Sequence, residues 1–260
     1  MQSTHSLTHS TPVAGDTGNL GKRVAVLAYG FLGYAVGCFG LFWLILGAGA
    51  LAPVGLSHWQ SESVWLALLV DCGLIALFAL QHSLMARAKF KKWLTRWIPA
   101  AAERATYMLL SGVVSSIAMY YWQSLPGVFW QVQNQVAMIT LYVLYVMGIV
   151  YLLLSTLVTN HFELMGLRQV YLYFCNRPYT PLAFTNKYMY RYSRHPMMLG
   201  MLILLWATPL MTTTRLVLAL LFTLYMFVGI YFEERDLVKN FGETYIQYKK
   251  KIAAFIPKVY

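Results

Sequence analysis

The chain has 260 residues, of which 59% are hydrophobic and only 11% are charged, whereas about 25% are charged in soluble domains. This composition, with a mean hydropathy of +0.55, excludes an ordinary soluble domain and indicates an integral membrane protein. The net charge of +11 does not indicate nucleic-acid binding, because the basic residues lie in short loops between apolar spans. The three cysteines form no C-x-x-C pair and are expected to be free thiols.

The N-terminal part of the chain changes from polar to apolar near residue 22. Residues 1–21 are rich in Ser, Thr and Gly and are expected to form a flexible tail. Residues 22–260 are expected to form one transmembrane domain. Its first span, Val24–Leu46, carries glycines at spacings that let helices approach closely. The second span, Val64–Leu84, precedes a basic, tryptophan-containing segment that is typical of an anionic membrane surface.

Four more apolar segments follow, and the last two form a hairpin. The third and fourth spans are predicted at Ala105–Leu125 and Val136–Val158. The apolar run after residue 200 is broken at Met211–Arg215, which predicts two helices of about 16 residues each, at or below the usual spanning length. Pro209 is expected to bend the first of them. The predicted fold is therefore an all-α, polytopic membrane helical bundle of about six transmembrane helices with a short C-terminal hairpin.

Charged residues stand at mirrored positions of this hairpin. His195 and Glu233 lie 19 residues on either side of Thr214, so antiparallel helices bring both to the same membrane face. The pair Arg194–His195 would then face Glu233–Glu234, an arrangement that suits a zwitterionic, cationic small molecule. Taken alone, each pair is typical of an interfacial anchor or of a solvated helix end. Their joint placement favours a ligand site, because ionisable groups at membrane depth are costly.

The motif Arg194-His195-Pro196-(x)3-Gly200, followed by Glu233-Glu234, resembles the membrane methyltransferase superfamily, which includes isoprenylcysteine carboxyl and phospholipid methyltransferases. The resemblance implies that residues 188–257, roughly, bind S-adenosylmethionine. Arg194 would hold the methionine carboxylate bidentately, a glutamate would take the ammonium or ribose hydroxyls, and Gly200 would leave room. The implied cofactor-binding residues are Tyr190, Arg194, His195, Gly200, Glu233, Glu234, Tyr245 and Tyr248.

Two further strings narrow the resemblance. Residues 78–87 (FALQHSLMAR) and 160–170 (NHFELMGLRQV) are similar to bacterial methanethiol S-methyltransferases. The resemblance implies a small thiol as methyl acceptor, dimethyl sulfide as product and the bacterial inner membrane as location. Every Lys and Arg except Arg215 lies on one side if both termini are cytoplasmic, which predicts that orientation.

Three residues in those strings are candidate catalytic groups. His82 ends the second span, and His161 with Glu163 follows the fourth, so all three are expected at the depth of the cofactor site. A thiol reacts as its thiolate, and histidine titrates in the range that a base needs at neutral pH. The other interpretation makes both histidines hydrogen-bonding groups between helices.

Other functions remain open at this level. One is methylation of a prenylcysteine carboxylate or a lipid amine, and another is non-enzymatic haem binding through His82 and His161. The chain has no P-loop, G-x-G-x-x-G or H-E-x-x-H motif, and no metal site is expected. The expected partners are a small thiol and membrane lipid but no nucleic acid, and a homo-oligomer is left open.

Overall fold

A computed structural model describes residues 18–49, 59–182 and 185–256. Its helices, in chain order, are α1 (Leu20–Gly49), α2 (Val64–Ala86), α3 (Ala88–Leu94), α4 (Glu103–Tyr121), α5 (Gln135–Val158), α6 (His161–Leu164), α7 (Leu167–Phe174), α8 (Pro196–Trp206), α9 (Thr213–Phe241) and α10 (Glu243–Lys251). The strands of the described part are β1 (Val128–Gln131) and β2 (Leu210–Thr212), and short 3₁₀ turns cover 100–102 and 188–191. The expected all-α fold is confirmed.

The long helices agree with a multi-pass membrane protein. Within the described ranges, α1, α2, α5 and α9 are long and apolar enough to cross a membrane. The predicted third span is the 19-residue helix α4, which falls short of that criterion. It packs along both α1 and α2, and Ser111, Gly112 and Ser115 are buried on it. The bundle interior thus accepts small polar side chains on α4 that lipid would disfavour.

The glycines of α1 explain how closely it approaches α4. A Cβ atom on Gly40 would lie 2.6 Å from the carbonyl oxygen of Gly112, and one on Gly112 would lie 2.3 Å from that of Val36. Only glycine leaves room for this backbone contact. Helix α1 begins at Leu20, four residues before the predicted span, and the predicted flexible tail lies mostly outside the described residues.

The C-terminal hairpin is asymmetric, so the prediction of two arms of about 16 residues is wrong. Helix α8 has 11 residues and ends at Trp206, before Pro209, so the proline ends the helix instead of bending it. An extended link, residues 207–212, pairs through β2 with β1 in antiparallel register, and Thr212 caps α9.

The extended link compensates for the short helix. Eleven helical residues span about 16 Å and six extended ones about 20 Å. Together they could cover about 36 Å, which is enough for the roughly 32 Å that α9 rises from residue 213 to 234 even though the link bends at Pro209. The two ends of the hairpin therefore meet at one face of the bundle despite the unequal helices.

A buried apolar core fixes this hairpin to the rest of the bundle. It includes Leu44 of α1, Leu152 of α5, Leu204 of α8 and Phe222 of α9, with the fully buried Trp122 after α4. The far end of the bundle is closed by polar contacts, such as the Leu125 amide donating to the Thr214 hydroxyl at 2.8 Å. The core leaves the charged residues of the hairpin at the opposite end.

Candidate active site

The hairpin brings its two charged pairs into contact, as the mirrored spacing predicts. Arg194 donates to Glu234 Oε1 through Nε at 2.9 Å and lies 2.8 Å away through Nη2. His195 Nε2 lies 3.1 Å from the same oxygen, and His195 Nδ1 lies 3.7 Å from Glu233 Oε2. Lys249 of α10 completes the group at 2.5 Å from Glu234 Oε2. We refer to these five residues as the ion-pair cluster.

The two glutamates of the cluster have different environments. The side chain of Glu234 is only 9% exposed, and Arg194, His195 and Lys249 all contact it. The side chain of Glu233 is 50% exposed, and its ionic contact among the described residues is the longer one with His195. The charge of Glu234 is thus compensated by neighbouring side chains, and its role is structural. The carboxylate of Glu233 can accept hydrogen bonds from a bound molecule.

The chain that follows α10 holds Arg194 and His195 in place. Their backbone amides donate to the carbonyls of Ala253 and Ala254, both at 3.0 Å. Arg194 Nη1 also donates to the carbonyls of Lys249 at 2.9 Å and of Ile252 at 2.7 Å. The guanidinium therefore binds protein groups on all sides, unlike the predicted arrangement in which it holds a ligand carboxylate.

Three tyrosines predicted for the cofactor site surround the cluster. Tyr245 and Tyr248 are buried on α10, and the Tyr248 hydroxyl donates to the Tyr190 carbonyl at 2.5 Å. Burial raises the pKa of Tyr190 to about 12, and the negative charge of Glu233 acts in the same direction. Burial also raises the pKa of Tyr248 to about 12. All remain neutral hydrogen-bond donors at pH 7.

Gly200 has a different role from the predicted one. A Cβ atom at this position would lie 2.7 Å from the amide nitrogen of Leu152 and 2.8 Å from the carbonyl oxygen of Gly148, both on α5. The glycine therefore permits close packing of α8 on α5. Its predicted purpose, room for a cofactor, is not what the geometry supports.

His82 lies in an aromatic environment between α2, α4 and α9. Its Nε2 is 2.5 Å from the Tyr107 hydroxyl, and its Nδ1 is 3.3 Å from the Ser111 hydroxyl. The Phe78 ring stacks on it at 5.2 Å, and Tyr225 lies edge-on at 6.3 Å. Tyr107 is buried, and no feature of the sequence distinguished it from the other 18 tyrosines.

Helix α2 reaches α9 through two contacts on either side of Glu233. The Ser83 and Tyr225 hydroxyls lie 3.4 Å apart, and Arg87 donates to Asp236 at 3.1 Å. His82, next to Ser83, therefore lies beside α9 near Tyr225, which is eight residues, or about 12 Å of helix, before Glu233.

His161 lies on the other flank, between α1 and α5. Its Nε2 is 3.0 Å from the Tyr34 hydroxyl, and its Nδ1 is 3.0 Å from the Thr156 hydroxyl. Burial lowers the pKa of His161, which keeps its imidazole neutral at pH 7. A neutral imidazole is the form that can accept a proton.

Glu163 does not steer His161, contrary to the hypothesis that it would. Its carboxylate accepts hydrogen bonds from Arg168 at 2.7 Å and from the Tyr179 hydroxyl at 2.5 Å. Burial and this bond raise the pKa of Tyr179 to about 12. Glu163 instead ties the α6–α7 corner to the segment after α7.

Comparisons with known proteins agree with this geometry. The family described as Phospholipid methyltransferase matches residues 143–244, which include the hairpin. Methanethiol S-methyltransferase of Crocosphaera subtropica is 43% identical over 86% of this chain and 85% of its own. That of Mycobacterium tuberculosis is 38% identical over 91% and 97%, and that of Pseudomonas deceptionensis is 42% identical over 75% and 74%. The chain belongs to the methanethiol S-methyltransferase family. No solved structure matches it.

Membership of the methanethiol S-methyltransferase family makes the chain a membrane methyltransferase, which needs a methyl donor. The described residues contain no group of three or more His, Cys, Asp or Glu side chains that could hold a metal ion. Both ring nitrogens of His82 and of His161 lie within hydrogen-bond distance of hydroxyl groups. This arrangement leaves neither histidine a nitrogen for haem iron, so the haem alternative is not favoured.

Proposed function

We propose that the protein transfers a methyl group from S-adenosylmethionine to methanethiol and so forms dimethyl sulfide. The observation that carries this proposal is the similarity to methanethiol S-methyltransferases over most of both chains. The half-exposed carboxylate of Glu233 within the ion-pair cluster supports it, because the donor is a cation with an ammonium group and two ribose hydroxyls.

The cofactor residues divide into two groups. Glu233 is proposed to bind the ammonium or the ribose hydroxyls directly, with the Tyr190 hydroxyl close by as a neutral donor. Glu234, Arg194 and His195 would keep that carboxylate in position, since they contact one another at 2.8–3.1 Å. Tyr248 would hold the backbone of residues 190–193, with the Tyr245 ring packed 5.8 Å from its own.

When bound, S-adenosylmethionine would supply a methyl group on a positively charged sulfur; transfer to a thiolate breaks that methyl–sulfur bond and gives dimethyl sulfide and the neutral thioether S-adenosylhomocysteine. The task of the protein is to hold the thiol in line with that methyl group, and positioning of this kind provides much of the rate. The thiol must also lose its proton. His82 is the preferred acceptor because Tyr107 and Ser111 fix its ring.

The Tyr107 hydroxyl adds a proton relay to this proposal. It lies 2.5 Å from His82 Nε2 and can pass a proton from the thiol to the imidazole by donating one and accepting another. The rings of Phe78 and Tyr225 around His82 exclude water, which favours the reaction of oppositely charged sulfur atoms. His161 is the second candidate acceptor, with Tyr34 in the corresponding place.

The site is proposed to face the cytoplasm of a bacterial inner membrane. The ends of α2 and α9 meet at the cluster through Arg87 and Asp236, and Arg104 joins the start of α4 to α6 at 2.8 Å. Basic residues concentrate at this end, while Arg215 binds carbonyl and hydroxyl groups at the other. The positive-inside rule supports an orientation with this end inside the cell.

A second candidate function is methylation of a lipid amine. It is favoured by the match of residues 143–244 to the family described as Phospholipid methyltransferase. The two functions require different acceptors at the same donor site, so one assay separates them.

The test uses purified full-length protein in detergent with methyl-labelled S-adenosylmethionine. We expect labelled dimethyl sulfide from methanethiol and little labelled product from phosphatidylethanolamine or a prenylcysteine. Label in the lipid alone would replace the thiol proposal with the lipid amine. Absence of label in every product, together with absence of S-adenosylmethionine binding, would refute both.

A further inference from the structure

A large opening lies on the same end of the bundle as the ion-pair cluster. It is an open cavity of about 1410 Å³. Its walls are α3, residues 95–101, the start of α4 and the chain from α6 to residue 179. Neither the ion-pair cluster nor His82 lines it, so the proposed methyl transfer gives it no role. We refer to it as the basic cleft.

Positive charge dominates the lining of the basic cleft. Two acidic side chains line it, Glu103 and Glu163, and each already has a cationic partner: Lys91 at 3.6 Å and Arg168 at 2.7 Å. Arg168 itself lies outside the lining. The six cationic side chains of the lining are Lys22, Lys91, Lys92, Arg96, Arg104 and Arg177.

Part of this charge is not neutralised by the protein. Within the described ranges, Lys92, Arg96 and Arg177 form no ion pair, and all three are exposed. Arg104 lies deeper, with its Nε donating to the Leu164 carbonyl and its guanidinium 4.8 Å from the centre of the Tyr107 ring. Such an opening attracts anions and repels cations, so it does not suit the proposed methyl donor.

The lining also has an apolar strip at the membrane boundary. Residues 97–101 are Trp-Ile-Pro-Ala-Ala, and Trp97 is 77% exposed. The segment lies between the end of α2 and the start of α4, and Lys22 on the opposite wall lies in the first turn of α1. Tryptophan is enriched where the lipid headgroups meet the acyl chains. Binding of a soluble anion would use the cationic side chains but would leave the apolar strip without a role.

We propose that the basic cleft binds one anionic phospholipid of the surrounding membrane. Its phosphate would contact Lys92 and Arg96, and the glycerol and the first part of the acyl chains would lie along the strip that begins at Trp97. The charged and apolar parts of the cleft match the two parts of such a lipid. A bound lipid would also join α3 to the segment after α7, two walls between which the described residues form no ion pair.

The test measures lipid binding to the delipidated full-length protein by native mass spectrometry. We compare phosphatidylglycerol, phosphatidylcholine and inorganic phosphate. The test variant is Lys91→Gln/Lys92→Gln/Arg96→Gln. The control, Lys89→Gln/Lys250→Gln/Lys251→Gln, removes the same charge from exposed positions that do not line the cleft.

We expect one phosphatidylglycerol to bind tightly per chain, with weaker binding of phosphatidylcholine. Each basic residue near an anionic lipid contributes about fivefold to binding, so the cleft variant should lose on the order of 100-fold. The control should lose less than about fivefold, because its charges do not converge on one site. Lys92→Gln alone, which breaks no ion pair, should lose about fivefold and guards against a folding defect in the triple variant.

Three outcomes would overturn the proposal. Equal losses in the cleft and control variants would show only a diffuse attraction to a charged surface. Equal affinity for phosphatidylglycerol and phosphatidylcholine would show that the cationic side chains of the cleft do not select the lipid. Displacement of phosphatidylglycerol by inorganic phosphate at similar concentration would assign the cleft to a free anion.

Discussion

Glu233→Gln tests whether Glu233 binds the methyl donor while Glu234 stabilises the ion-pair cluster. The substitution keeps the shape of the side chain and removes its charge. Because Glu233 is half-exposed and its ionic contact among the described residues, with His195, is 3.7 Å long, the stability cost should be below about 1 kcal/mol. A lost charge-assisted hydrogen bond to the donor costs about 1.5–3 kcal/mol, which corresponds to roughly 10- to 100-fold weaker binding of S-adenosylmethionine.

Glu234→Gln should have the opposite profile. This carboxylate is 9% exposed and has the cations Lys249 and Arg194 at 2.5 and 2.8 Å, and breaking a buried pair costs about 3–5 kcal/mol of stability. We expect a marked fall in Tm, and any loss of donor affinity should follow from that instability. Lys250→Ala, at an exposed position on α10, is the control that should change neither property.

The two quantities are measured separately, donor affinity by titration calorimetry and stability by thermal unfolding followed through intrinsic fluorescence. Unchanged affinity in Glu233→Gln would refute the proposed donor contact. A stable Glu234→Gln variant that no longer binds the donor would show that the roles of the two glutamates are reversed.

Three other predictions follow from the same structure. His82→Ala and Tyr107→Phe should each lower turnover of methanethiol at pH 7 by on the order of 10²-fold with donor affinity unchanged, and part of the loss should return at pH 9, where more thiol ionises unaided. Wild-type turnover in both variants would exclude the relay. Gly200→Ala should destabilise the protein by about 1–3 kcal/mol through overpacking against α5, whereas Gly229→Ala, where a Cβ atom meets nothing within 4 Å, should not. A fall in the Tm of both variants, or of neither, would contradict this account. Cysteines placed at the two ends of the chain should react with a membrane-impermeant reagent only after cell lysis, and labelling of intact cells would reverse the proposed orientation.

The meeting of the two charged pairs was predicted from their spacing, although it also depends on the link that compensates for the short α8. Equal numbers of residues separate His195 and Glu233 from the break in the apolar run. The internal geometry of the hairpin could not be derived in the same way. Pro209 ends α8 early, and only the pairing of β2 with β1, a strand more than 70 residues earlier, shows that the link is extended.

The roles of individual side chains were harder to predict than their location. The sequence could not show that Tyr107 meets His82, because that contact depends on how α4 is rotated against α2. The sequence did indicate an ionic partner for Glu163, because Arg168 lies five residues later at the same corner. Gly200 was assigned to the cofactor because its neighbour on α5, Gly148, is 52 residues away in the chain.

The backbone bonds from Arg194 and His195 to Ala253 and Ala254 have a consequence for biosynthesis. All of the long helices precede these alanines in the chain, so the ribosome can deliver the whole bundle to the bilayer before the arginine and histidine have their final partners. A product that stops short of Ile252 would then insert and remain in the membrane as an inert protein. Complete translation is in this sense a condition for activity.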